Sequence, residues 1–555
     1  MAEAVEDTHD ICDARRRASE RIRWRLLGRA SLLIAVVSLA TRASAQLPPA
    51  PLPLSNTEDA RTLPKGTVLL RVMNAWTRFD DVFDAAADSA HHLHPLGDAF
   101  SAKQLGVRQF PALAAAEGAL RTLTGDPNLT LSLGKAFATA NTRMVTTPVM
   151  LEYGLTDRLT IGAMVPVVQT HSTVFVELNP QRLSPRRLGG GFGANVGPSA
   201  HPDLKAILDQ LSAAATDLKT FIDNCTAANG CTDAQRQAAT DVRTSVQDDI
   251  AAIGVLYGAA STFSPFGEGQ AAVRRQLDNL ASSVGSITGN TYTFDPPAGA
   301  NAVAALFQLQ QLATDPTLAA YDSLGSPDRI GIGDVEVSAR FKLLDGFADT
   351  TDGIKLRATL LGVARIGTGR PPTGTVPFEV GTGTGQTSAD GGALIDVRLS
   401  RRLMATIGAQ YTSYFTSSDV ARLPNSDYAL FPLDVPIAGR WREGDALQLE
   451  ATPRIAFTDY FTFFGAYTFR HQAASKYTSP DAPTLPVFSA TTEQRAGLGF
   501  GYSTVTRYAR GRSSVPIELS FTHLETLTAS GGLVPKYSRD QIQLRIYYRL
   551  RRGGR

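Results

Sequence analysis

The sharpest pattern in the chain is the alternation of its last strand-like run, Gln541 to Leu550. Ile542, Leu544, Ile546, Tyr548 and Leu550 fall on one phase, and Gln541, Gln543, Arg545, Tyr547 and Arg549 on the other. Successive strand side chains point to opposite faces, so this run carries one apolar face and one polar, cationic face. The same build recurs along the chain. Thr67 to Thr77 opens the series, with Val68, Leu70, Val72 and Trp76 set against Arg71 and Met73. Val145 to Tyr153 leads through Gly154-Leu155-Thr156-Asp157 into Leu159 to Val167. Ile395 to Leu399 turns at Ser400-Arg401 into Leu403 to Tyr411. Leu447 to Ala451 runs to Ala456-Phe457-Thr458-Asp459 and returns through Phe461 to Phe469. Val335 to Leu343, Ile354 to Arg365, Arg495 to Thr504 and Pro516 to Thr526 complete the set.

Tight turns between alternating strands predict an all-β transmembrane antiparallel β-barrel, with lipid outside and a wet lumen inside. The count is about 12 strands with both ends on one side, or about 14 if Leu129 to Thr139 is a strand that needs a partner. A helix is expected near Pro111 to Leu123.

One stretch breaks the alternation. From about Pro202 to Thr314 the period changes from 2 to 3.6. Leu204, Ile207, Leu208, Leu211, Ala215, Leu218 and Ile222 make one helical stripe, and Val242, Val246, Ile250 and Ile253 the next. Thr232 with Gln235 resembles a capping box between them. Shorter helices are expected near Ala271 to Val284 and Ala302 to Leu312. The strand before this insert runs away from a tight turn, which places the insert on the extracellular side, as an outer cap or an inward plug.

Composition narrows the class further. The 555 residues are 43% hydrophobic and 19% charged with a net charge of +2, which fits neither a disordered chain nor a nucleic-acid binder. No run approaches the roughly 20 apolar residues of a membrane-spanning helix. Arg15 to Arg29 supply a basic region, Ala30 to Ala40 an apolar stretch, and Ala43-Ser44-Ala45 a small-residue cleavage site. The expected organisation is a signal peptide over 1–45, a periplasmic lead-in over 46–66, barrel over 67–178, helical insertion over 179–330 and barrel again over 331–555. Cys225 and Cys231 flank a short turn in a chain bound for an oxidising compartment, so a local disulfide is expected there.

The segment Tyr153-Gly-Leu-Thr-Asp-Arg-Leu-Thr160, ending in Val165-Pro166-Val167, resembles an element of a known outer-membrane family. Leu63-Pro64-Lys65-Gly66, Gly331-Ile332-Gly333-Asp334-Val335 and Gly381-Thr382-Gly383-Thr384-Gly385 add to the likeness. The family is that of the MetA pathway of phenol degradation, FadL-like in style. The resemblance implies an outer-membrane barrel and passage of hydrophobic compounds. The helical insertion has no counterpart in that shared pattern.

The candidate chemistry lies on the inward phase. Arg340, Lys342, Lys355, Arg357, Arg398, Arg402, Arg454, Arg545 and Arg549 form a prospective cationic ring, with Asp396 and Glu450 among them. Such a ring either concentrates anions in a low-dielectric lumen or pairs with carboxylates across strands, the commoner case. Gly497, Gly499 and Gly501 alternate on one inward face and either clear space for a ligand or bend the strand. Tyr153, Tyr411, Phe415, Phe461, Tyr467, Phe469, Tyr502 and Tyr548 share the outward phase and fit interfacial girdles. His91, His92 and His94 lack matched carboxylates or cysteines, so no metal site or cofactor is expected. Ser520 and His523 fall on opposite faces of one strand, which argues against a catalytic pair and an enzyme.

The expected function is a channel or transporter in the outer membrane of a Gram-negative-type bacterium, passing small hydrophobic, aromatic or anionic solutes. Its partners would be outer-membrane lipid, a small-molecule solute and the barrel-assembly machinery, with no nucleic acid. The alternative is a barrel that merely anchors an extracellular helical binding or adhesion module.

Overall fold

The computed structural model describes residues 59–549, except 84–92, 108–109, 111–112, 180–190, 195–202, 229, 259–262, 303, 315–320, 349–352, 374, 377, 422–436, 480–481, 489 and 532–533. The expected signal peptide and most of the lead-in lie outside these residues, as do His91 and His92.

Alternation becomes a ring of strands: β1 (Thr67–Phe79), β2 (Ala136–Gly154), β3 (Leu159–Leu178), β4 (Val335–Asp345), β5 (Lys355–Ile366) and β6 (Ser388–Arg398). It continues through β7 (Leu403–Tyr414), β8 (Ala446–Ala456), β9 (Phe461–Gln472), β10 (Thr491–Ser503), β11 (Ile517–Gly531) and β12 (Ser538–Arg549). Each strand pairs antiparallel with its neighbour in sequence, and β12 closes on β1 from Thr67↔Arg549 to Arg78↔Ser538. The closed barrel therefore has twelve strands; a thirteenth short strand, Asp328–Ile332, extends β4 along β3. Leu129 to Thr139 adds no separate strand. Its last residues are the start of the long β2, while Leu131 and Leu133 are buried against the helices.

The tight turns 155–158, 399–402 and 457–460 gather at one end of the barrel, and the long β1–β2, β3–β4, β5–β6, β7–β8 and β9–β10 connections at the other. Val145, Val149, Leu151 and Tyr153 of β2 face outward beside Ile161, Val165 and Val167 of β3. That stretch rises about 23 Å for a rise of about 3.3 Å per residue and a tilt of about 40°, close to the height of a lipid-facing band. Farther out, the same face carries polar Arg143, Asn141, Gln169, His171 and Thr173, and only beyond them exposed Phe175 and Phe137. Tyr153, Phe461, Tyr502 and Tyr548 face outward near the tight turns, and Trp76, Tyr411 and Tyr467 nearer the long loops. These make two girdles.

The insertion folds as helices α2 (Leu204–Ala228), α3 (Asp233–Tyr257), α4 (Glu268–Thr288) and α5 (Leu306–Thr314), joined by α1 (Ala114–Thr124) from the β1–β2 connection. The Thr232–Gln235 capping box is formed, and Cys225 and Cys231 are disulfide-bonded across the α2–α3 turn. The helices neither stand free nor fill the barrel. Ile207, Leu211, Leu218, Val246, Ile253 and Val273 share one buried core with Ala136, Ala138, Ala140 and Met144 of β2 and Val168, Val176 and Leu178 of β3. The inner wall at the top of β2 and β3 is therefore apolar because it carries the cap. A small sheet of Ser417–Ala421, Ile437–Arg442, Ser475–Ser479 and Ala482–Phe488 lies at the same end, a feature the alternation left unseen.

Asp249 of α3 is buried, and its Oδ2 has no hydrogen-bond partner. Burial first, and Asp248 second, push its carboxyl up to about 7. Because the folded value lies above the unfolded one, the cap binds this proton more tightly than the unfolded chain does, and loses stability as pH rises from about 4 to about 7. Asp249→Asn is therefore expected to raise hydrogen-exchange protection of α3 strongly at pH 8, less at pH 5, and hardly at all at pH 4.

Candidate functional site: the barrel lumen

At the tight-turn end the lumen holds a piece of the chain itself. Residues 59–63 precede β1 and run inside the ring. The Ala60 amide donates to Asp396 of β6 at 3.1 Å, and Thr359 of β5 donates to the Ala60 carbonyl at 2.6 Å. Arg61 bonds Asp59 at 2.7 Å and reaches Glu518 of β11 at 3.1 and 3.3 Å. In a twelve-strand ring β5 and β11 stand six strands apart, so these few residues cross the full diameter. The Leu63 amide donates to Thr160 of β3 at 2.8 Å and fixes the entry point. This segment is a bolt. Its lead-in position led to an expectation of a periplasmic location; its described part lies in the lumen instead.

The bolt meets the prospective cationic ring. Arg357 is ion-paired with Asp396 and stacks over Phe347, as does Arg398. Asp396 also accepts from Thr406 at 2.7 Å, and Arg454 donates to Thr406 at 3.2 Å. Arg545 and Tyr547 both bond Glu518. Burial raises the Asp59 carboxyl, but Arg61, with Arg545 and Arg454, more than offsets this and holds it well below the usual carboxylate range. The other ring members lie apart. Arg340 is buried against Glu152, Lys342 pairs with Asp345, and Lys355 is buried opposite Arg398. Arg402 and Arg549 are exposed at the rim. The ring is a compensated network closed around the bolt, not an open collar of free cations.

Above the bolt, Arg71 of β1 and Arg340 of β4 share Glu152 of β2, all three nearly inaccessible to solvent. Next comes a cavity of about 20 Å³ lined by Met73, Met150, Met164, Pro148, Leu361 and Val363, with Arg71, Arg340, Glu336 and Ser338 at its edges. Above that, Arg365 joins Glu336 at 2.9 Å and Asp390 at 3.1 Å. The lumen is thus layered: ionic, apolar, ionic.

The β5–β6 connection, residues 367–387, folds inward over the last layer. Thr170 and Ser172 of β3 donate to the carbonyls of Val380 and Phe378, and Glu379 pairs with Arg329. Asp334, at the break between Asp328–Ile332 and β4, accepts from the Gly369 amide at 2.9 Å and from Thr384 at 2.7 and 3.0 Å. A Cβ on Gly383 would lie 2.7 Å from Asp334 Oδ1, which is why glycine stands there. The two glycine motifs noted in the sequence are therefore one structural unit, clasped by Asp334.

The glycines of β10 do not clear space for a ligand. A side chain at Gly497 would collide with the His523 carbonyl of β11, and one at Gly499 with the Phe464 ring; only Gly501 is open. Close strand approach and an inward aromatic ring use the room. Ser520 faces the lumen while His523 faces outward, bonded to Asp540 at 2.7 Å. Among the described residues no three His, Cys, Asp or Glu side chains gather as a metal site, and His94 stands 3.7 Å from Asp98.

Ring closure, an apolar outer band and a layered polar lumen define a transmembrane antiparallel β-barrel of the outer-membrane type. No protein-family model matches the chain, and no curated protein matches it. Among solved structures, the COG4313 outer membrane channel from Pseudomonas putida F1 is 8% identical over 90% of this chain and 100% of that one, with a TM-score of 0.39. The P. putida toluene transporter TodX is 11% identical over 88% and 92% of the two chains, at 0.25. The translocator domain of autotransporter NalP from Neisseria meningitidis is 7% identical over 87% and 89%, at 0.28. The closure of the ladder, not these likenesses, defines the fold.

Proposed function

We propose that this barrel sits in the outer membrane and passes small solutes with an apolar body, through a lumen whose obstructions are chain segments and not barrel strands. One observation carries the reading: a methionine-lined apolar layer, with room for about one water while the bolt and loop are seated, held between two ionic layers. Methionine adapts its shape to irregular apolar guests, and the flanking charges can bond a polar substituent. The bolt below is held largely by hydrogen bonds and ion pairs, and the 367–387 loop above by polar bonds together with Phe378 and Val380 buried in the cap core. Neither belongs to the strand ladder, so both can yield without unpicking it. The narrower reading, a member of the phenol-degradation family, rests on the turn and glycine motifs alone. An anion preference is expressed only once the bolt leaves, since the bolt, itself neutral with one Asp59 and one Arg61, blocks the path past the wall arginines.

Uptake of benzyl alcohol and benzoate into liposomes carrying the full chain tests this. Met150→Trp is expected to fill the cavity and cut flux toward that of protein-free liposomes, with the barrel still resistant to unfolding. Unchanged flux in a folded Met150→Trp protein would remove the cavity from the path.

A further inference from the structure

The outer surface carries a charge arrangement that the lumen does not explain. Arg78 of β1 and Arg143 of β2 are directly opposed in the ladder, both outward and both exposed. On the far side of Arg143 the same row continues to His171 of β3 and then to exposed Asp328, directly opposed to His171. Opposed residues on one sheet face stand about 5 Å apart, and like charges so placed repel. Among the described residues neither arginine makes an ion pair or side-chain hydrogen bond. Carboxylates exist nearby but do not serve them. Asp540 and Glu525 are bonded to His523, and exposed Asp80 makes no ion pair with Arg78. Asp328 faces His171, one strand beyond Arg143, and pairs with neither arginine.

Height fixes what can lie against this row. The next outward row toward the tight turns contains Trp76 and Val145, which top the apolar band. The arginines thus stand at headgroup level on the long-loop side, the external leaflet if the barrel sits as proposed above. Two adjacent guanidiniums match the oxygens of one phosphate monoester, each through paired N–H donors. The acyl chains of the same molecule would continue down the apolar face of β1–β3.

We infer that Arg78 and Arg143, with His171 beside them, form a docking site for the phosphorylated headgroup of an acylated sugar lipid in the external leaflet. The inference rests on the outer-membrane orientation but not on transport, so a barrel that passes no solute can still bind the lipid.

The test uses the full chain in detergent micelles, with binding of purified diphosphorylated lipid A read by native mass spectrometry. Arg78→Ser/Arg143→Ser is expected to weaken binding about tenfold or more, and Arg78→Lys/Arg143→Lys to keep part of it, since lysine retains charge but loses the fork. Arg512→Ser, at the tight-turn end, serves as control and should bind normally. Lipid A stripped of phosphate should bind the wild-type protein as weakly as lipid A binds the serine variant. Equal binding by the serine variant, equal binding of phosphatidylglycerol, or full displacement by millimolar inorganic phosphate would each overturn the proposal. Conductance of the serine variant should match wild type, which separates a failure here from a failure of the channel reading.

Discussion

Removing residues 59–63 should convert a closed barrel into a conducting one. In planar bilayers the full chain is expected to show rare, small openings, and the shortened chain steady channels. The argument is geometric. The segment spans the lumen from Thr359 and Asp396 to Glu518; its directional contacts are polar bonds, and its apolar burial is confined to Ala60 and Leu63. Taking it out removes Asp59 and Arg61 together, so the charge balance of the lumen wall is unchanged. Arg357, Arg398, Arg454 and Arg545 then face Asp396 and Glu518, and this excess of cations should make the open channel prefer anions. Arg454→Gln/Arg545→Gln in the shortened chain should abolish that preference. Asp59→Ala/Arg61→Ala keeps the chain length and should loosen the bolt in the same direction. The pH dependence has a definite sign. Asp59 is held well below the usual range, so the ionic seat is fully formed above about pH 4 and lost only as pH falls through the depressed value. Conductance of the full chain should therefore stay flat from pH 8 to 5 and rise only in strong acid. Equal conductance with and without residues 59–63 at neutral pH would sink the bolt.

The second large effect is expected on stability. Glu152→Leu removes the carboxylate that Arg71 and Arg340 share inside the ring. Removing one partner from a buried ionic group costs about 3–5 kcal/mol. The unfolding midpoint of the barrel, read by its heat-dependent gel mobility, should drop sharply. Glu152→Gln should fall between, since an amide still accepts one hydrogen bond. By contrast, Lys205→Ala, whose partner Asp209 is an exposed neighbour on α2, should change nothing measurable.

The strand phase was legible because lipid and lumen impose a period of 2 on every spanning run, as in Gln541 to Leu550. The helical stripes were legible for the same reason at a period of 3.6. The bolt was not. Residues 59–63 carry no period, and Ala60 meets Asp396 across 336 positions of sequence. The fate of the cationic ring was half legible: phase placed Arg340 and Arg357 inside, but their acids lie on other strands. Glu152 stands 188 residues from Arg340, and only the register brings them together. The Gly381 to Gly385 run did signal something unusual. What hid its role was Asp334, which looked like the opening of a strand and is instead the clasp of a loop folded from the other side of β5.

The bolt also constrains the order in which this molecule can be built. It leads into β1, and β1 is the strand on which β12 must zip, from Thr67↔Arg549 to Arg78↔Ser538. A stretch that precedes every strand in the chain thus ends up inside a hoop whose last stave follows all the others. Its seat is split as well: Asp396 and Thr359 come from the middle of the chain, Glu518 only with the penultimate strand. A nascent barrel stalled before β11 can hold one end of the bolt and not the other, so full seating reports that the hoop is complete.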